Sequence, residues 1–148
     1  MIEKMSLEIE SVGLRWIAIG AILASIAVGM GAFGAHGLEP ALANRVEDPA
    51  KNMEHWETAS RYHMYHSIAI VLVGLASMQI GRGRLLISAA ILFSIGIVLF
   101  SGLLYVLALT DIKVLGAIVP LGGLAFIVGW LTFAVGVFNA NRKSKDSQ

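Results

Sequence analysis

In a chain that is otherwise strongly apolar, six side chains carry most of the available chemistry: His36, Tyr62, His63, His66, Ser101 and Tyr105. Imidazole nitrogens ligate haem iron or metals and exchange protons near neutral pH. Together with hydroxyl groups they also form a pocket suited to a quinone headgroup. His36 and His66 are the candidate cofactor ligands, for haem or quinone, and Tyr62, His63, Ser101 and Tyr105 complete a polar cluster. The alternative is purely structural, with the same groups hydrogen-bonding between helices or sitting at the interface as amphipathic side chains. No acid stands at a spacing that would complete a catalytic triad, so no catalytic residue is assigned and a non-enzymatic protein is favoured. No metal-ligand spacing is present either, and the absence of cysteine removes thiolate sites and disulfides.

Four long apolar runs must position these groups. Of 148 residues, 57% are hydrophobic and 14% charged, where a soluble domain has about a quarter charged. Mean hydropathy is +0.76. Each run is long enough to cross a hydrocarbon core of about 30 Å as a helix. The expected architecture is an all-α, four-helix transmembrane bundle at 16–138, with spans at 16–38, 62–80, 85–110 and 114–138. Residues 1–15 read as an amphipathic lead-in at the membrane surface, and Glu3, Glu8 and Glu10 suit a signal peptide poorly. Residues 139–148 form a polar tail. Asp48-Pro49 reads as the capped start of a helix that runs from outside the core into span two. Pro120 is expected to kink span four.

The six chemical residues then fall in one layer. Counting at 1.5 Å per residue from Trp16, Arg82 and Arg84 puts His36, His63, His66, Ser101 and Tyr105 between roughly 24 and 31 Å up the bundle. His36 follows a run of small residues, Gly29-Met30-Gly31-Ala32-Phe33-Gly34-Ala35, and is expected to hydrogen-bond across to span two or three, with His66 the first partner. A lipid-facing imidazole would otherwise forfeit its bonds at a cost of a few kcal/mol.

Small residues recur at helical spacing, and close backbone packing through them drives helix association in lipid. The seams are Ala18, Ala21, Ser25, Ala32 and Ala35 in span one (interrupted by Val28), Ser67, Gly74, Ser77 and Gly81 in span two, and Gly122, Ala125, Gly129, Thr132 and Gly136 in span four. Gly31, Gly34, Gly74, Gly102, Gly122 and Gly129 are the expected packing glycines. Seams on several helices exceed what a minimal bundle requires internally, which points to other membrane subunits or a second copy as partners, alongside the lipid bilayer. The net charge of +1 and the lack of a basic stripe exclude nucleic acid. Seven Lys and Arg residues lie at the end holding the termini and the 82–84 turn, against four at the other. The positive-inside bias then makes both termini cytoplasmic, in a bacterial inner membrane.

Several segments resemble one family. They are Gly31-Ala32-Phe33-Gly34-Ala35-His36-Gly37-Leu38, then Trp56, Ala59, Tyr62 and His66, then Leu99-Phe100-Ser101-Gly102 with Tyr105-Val106-Leu107-Ala108-Leu109, and finally Pro120-Leu121-Gly122-Gly123 with Phe126 and Gly129-Trp130. Over residues 16–138 the chain is similar to the four-span membrane proteins called domain of unknown function 423 (YgdD-like, transmembrane protein 256-like). A glutamine is usual there at the position of His63. The resemblance implies the fold and a membrane location, and no activity. The function expected is that of a structural or accessory membrane subunit or scaffold. A haem- or quinone-binding redox protein and a small-solute channel or transporter are the alternatives.

Overall fold

A computed structural model describes residues 2–42, 46–81 and 83–145, with side chains described for 11–42, 46–81 and 83–140. Arg45 and Arg82 lie outside the described residues. The described residues form helices and turns only: α1 (Ile2–His36), α2 (Leu38–Leu42), α3 (Pro49–Ile80), α4 (Arg84–Gly96), a π-helical turn (Ile97–Gly102), α5 (Leu103–Thr110), a 3-10 turn (Lys113–Ala117) and α6 (Val119–Lys145). Among them are four helical segments long and apolar enough to cross a membrane, 11–36, 49–80, 84–110 and 113–140. The chain is therefore a four-helix membrane bundle.

The ends of these helices follow from local chemistry. Asp48 caps α3, its carboxylate accepting from the Lys51 N–H at 3.1 Å, and Pro49 occupies the first turn. There its missing N–H breaks no helical bond. Asp111 closes α5 in the left-handed conformation (φ 55°), its N–H bonded to the Leu107 carbonyl. Two sequence expectations change. The lead-in is no separate element, because one unbroken helix runs from Ile2 to His36. Pro120 does not kink span four, since a 3-10 turn precedes α6 and leaves the proline in its first turn.

The bundle is built from two antiparallel pairs, and a seven-residue ladder of small residues sets each. In the first pair, Gly13, Gly20, Ala27 and Gly34 of α1 meet Gly74, Ser67, Ser60 and Trp56 of α3 in reverse order. A Cβ on Gly74 would stand 2.7 Å from the Gly13 carbonyl oxygen, so backbone lies directly on backbone. In the second pair, Gly122, Gly129 and Gly136 of α6 meet Phe100, Phe93 and Leu86. A step of seven, kept throughout on α1 and in the second pair and shortened to four only between Ser60 and Trp56, is the left-handed coiled-coil geometry.

α3 and the third span are central, each with 44% of its apolar window buried, while α1 reaches only 11%. α1 packs along α3 and the short α2. The seam expected on it is reversed: Ala18, Ala21, Ser25, Ala32 and Ala35 are all exposed, and the glycine ladder faces inward instead. α2 turns Leu38 and Leu42 back under the bundle, where they bury with Trp56, Leu104, Leu107 and Val119. A second apolar cluster, including Ile70, Val73, Leu86, Phe93 and Phe126, fills the half nearer the termini.

Candidate functional site

Between the two apolar clusters lies a buried polar layer. On α3, Ala59 belongs to one cluster and Ala69 to the other, and His63, His66 and Ser67 fall between them, all buried. On the third span, Ile97 and Leu104 belong to the two clusters and bracket Ser101, which is wholly buried. The helix period explains the α3 set. Residues 52, 56, 59, 63, 66, 70, 73 and 77 alternate steps of four and three, and all are buried, so both histidines ride on the core stripe.

The two histidines differ in their bonding. The His66 ring stacks flat on Phe126, centroids 3.4 Å apart and planes 7° apart. Its Nε2 accepts from Trp130 Nε1–H at 3.3 Å. Because the indole only donates, the imidazole proton sits on Nδ1, which donates to the Tyr62 carbonyl at 2.8 Å. Both nitrogens are engaged and the tautomer is set. His63 has one weak partner, the Tyr105 hydroxyl at 3.5 Å from Nδ1. Its Nε2 is buried with no partner among the described residues, as is the Ser101 hydroxyl.

Tyr105 is held by the Trp56 ring, centroids 4.6 Å apart, and the Trp56 indole donates to the Met30 carbonyl at 2.8 Å. Tyr62 contributes its carbonyl to His66, and its ring leans on Phe100, 40% exposed at the bundle surface. Thus His63, Ser101 and Tyr105 of the expected cluster share one layer with His66.

His36 does not join them. It is exposed at the end of α1 and forms no cross-helix bond to His66, the first expected partner, or to Tyr62, Ser101 or Tyr105. The ladder accounts for this. Burying Gly34 against Trp56 turns a residue two positions later by about 200°, away from α3. At the end of the helix, where solvent is near, the imidazole does not require a protein partner. The packing glycines also divide: Gly31, Gly34, Gly74, Gly122 and Gly129 make close approaches to a neighbouring helix, but a Cβ on Gly102 would meet only Ile97 of its own turn, at 3.7 Å.

Two participants were missed. Asn52, 2% exposed, donates from its side-chain amide to the Ala108 carbonyl at 3.1 Å, tying the start of α3 to the end of the third span. Its place four residues before Trp56 on the same stripe was the available signal. Phe126 was read as part of a family segment only, yet it is the stacking platform of His66. Beyond the layer, at the end holding α2, a cleft of about 530 Å³ is lined by Glu47, Asp48, Lys51, His55, Asp111 and Lys113. An exposed Lys113–Glu47 ion pair at 2.6 Å crosses it.

The buried residues His63, His66, Ser101 and Tyr105 lie within a region that matches one family model, described as a protein of unknown function (DUF423), over residues 30–123. The chain belongs to this family. It is 47% identical over 121 residues to the UPF0382 membrane protein YwdK of Bacillus subtilis, covering 81% of this chain and 93% of that one. UPF0382 membrane proteins of Staphylococcus saprophyticus and Staphylococcus haemolyticus are 46% and 44% identical, each covering 83% of this chain and 96% and 94% of their own length. It is therefore a membrane protein of a family without an assigned activity. No solved structure matches it.

Proposed function

We propose that this chain is a non-catalytic structural or accessory subunit of a membrane assembly and associates through the outward face of its first span. One observation carries this reading. α1 is tied to the bundle along a single stripe, and its opposite side presents Ala18, Ala21, Ser25, Ala32 and Ala35, all exposed. Nothing lies within 4 Å of a Cβ added to Gly29. A helix that faced only lipid would gain nothing from small residues on that side. A second helix would gain close van der Waals contact there. Purification in a mild detergent should yield a homo-oligomer or a complex with another membrane protein, and Ala21→Leu together with Ala32→Leu should dissociate it. A strictly monomeric particle without a co-purifying protein would overturn the proposal.

The same reading carries no haem or quinone. His66 offers no free nitrogen to a ligand, because Trp130 and the Tyr62 carbonyl take both. An absorption spectrum of the purified protein should accordingly show no haem band. The termini are assigned to the cytoplasmic side of a bacterial cytoplasmic membrane, on the excess of Lys and Arg at that end. A reporter that works only in the cytoplasm should be active when fused after Gln148. Activity of an exterior-only reporter there would reverse the assignment.

A further inference from the structure

Hydroxyls in these spans usually bond to the carbonyl one turn back. Ser67, Ser77, Ser94, Thr110 and Thr132 all do so, at 2.7–2.9 Å. Ser101 makes no such bond, although it is wholly buried. It sits in the π-helical turn, where backbone pairing reaches five residues back and the helix is wider. The second unpartnered atom, His63 Nε2, lies in the same layer of the bundle, on the helix packed against that turn. Leaving such an atom unpaired in an apolar interior forfeits its hydration without replacement and is destabilising. Buried polar groups in this position are ordinarily satisfied by internal water.

A polar route leads to this pair from the surface. Tyr105, one helical turn beyond Ser101, brings its hydroxyl to 3.5 Å from His63 Nδ1. The Ser60 hydroxyl stands beside that of Tyr105. Ser60 in turn lines a groove of about 510 Å³ between α1 and α3, together with Gly31, Gly34, Trp56, Glu57 and Arg61. Gly31 and Gly34 keep the groove open by presenting no side chains. Glu57 and Arg61, both exposed, make its rim hydrophilic. Surface groove, Ser60, Tyr105 and His63 follow one another contact by contact, and Ser101 lies in the same layer as His63.

We propose that the α1–α3 groove is the mouth of an internal water site that ends at His63 and Ser101. Its ligand is ordered water, held by the imidazole Nε2 and the serine hydroxyl and exchanging with the surface past Ser60 and Tyr105. The proposal does not depend on the association face on α1: Ala18, Ala21, Ser25 and Ala32 do not line this groove, and Ala35 borders both.

Water-edited solid-state NMR of the full chain in lipid bilayers, with ring-labelled histidine, tests it with an internal control. Magnetisation from water should reach the His63 ring several-fold faster than the His66 ring, which is engaged by protein on both nitrogens. The His63→Gln variant assigns the signal. Ser101→Ala and Ser60→Val should each slow the transfer to His63 while leaving His66 unchanged, and the unchanged His66 signal reports an intact fold. Equal, slow transfer to both histidines would overturn the site. Fast transfer to His63 that neither variant alters would overturn the route and its terminus.

Discussion

His63 and His66 occupy neighbouring places on one buried stripe, yet their neighbours give them different uses. Trp130 and the Tyr62 carbonyl saturate His66, while His63 keeps one nitrogen unpartnered. Trp130→Phe should therefore release His66 Nε2 and allow the other tautomer. The cost expected is that of a cross-helix bond in membrane, about 0.6 kcal/mol on average and at most about 1.7. Nitrogen shifts of the His66 ring and thermal unfolding in detergent measure both effects, and a ring spectrum identical to wild type would refute the assigned bonding. For His36 the expectation is the opposite. Its ring is exposed, so His36→Leu should change stability by no more than about 0.5 kcal/mol. A larger loss in the same unfolding measurement would mean that the imidazole has a protein partner after all.

Helix pairs in this bundle approach closely at glycines, which meet backbone at some positions and the side chains of Trp56, Phe93 and Leu86 at others, and the consequences are specific to position. A Cβ on Gly122 would overlap the backbone of Leu99 and Phe100, which cannot yield as a flexible side chain can. Gly122→Ala should thus destabilise the pair formed by the third and fourth spans by about 1–3 kcal/mol, the usual cost of overpacking. Gly29→Ala is the control within the same chain. Nothing stands within 4 Å of its Cβ, and alanine in a helix interior is favoured over glycine by about 1 kcal/mol. Thermal unfolding should separate the two variants in opposite directions. If both behaved alike, the ladder geometry would be wrong.

Taken as a whole, the molecule is two helical hairpins joined at the 81–83 turn. The apolar cluster formed by Ala69, Ile70 and Val73 with Leu86, Ala89 and Phe93 crosses that turn. Asn52 bonds across the same boundary at the other end. The halves should accordingly remain associated without a covalent link, since packing and not chain connection carries the contact. Co-expression of residues 1–81 and 83–148 with different tags should allow either tag to recover both halves. Recovery of each half alone would show that the turn itself is required.

Four spans, their antiparallel order and the capped start of α3 were legible in the residues alone, for a definite reason. A bilayer sets the length of an apolar helix, short turns leave neighbours no choice but to run antiparallel, and Asp48-Pro49 acts locally. The seam Gly122, Gly129 and Gly136 was legible too, because its small residues repeat on one stripe of that helix and its partner contributes large side chains. On α1 the same reasoning failed. Small residues occupy both of its sides, and in a lipid-facing helix the outward side is as apolar as the inward one, so hydropathy does not distinguish them. Only the packing of Gly13, Gly20, Ala27 and Gly34 against α3 decided which side turns in, and with it that His36 turns out. The π-turn at Ser101 and the differing use of two adjacent histidines were likewise decided by tertiary structure. Both depend on which atoms a neighbouring helix brings within hydrogen-bonding distance, and no spacing within a single helix encodes that.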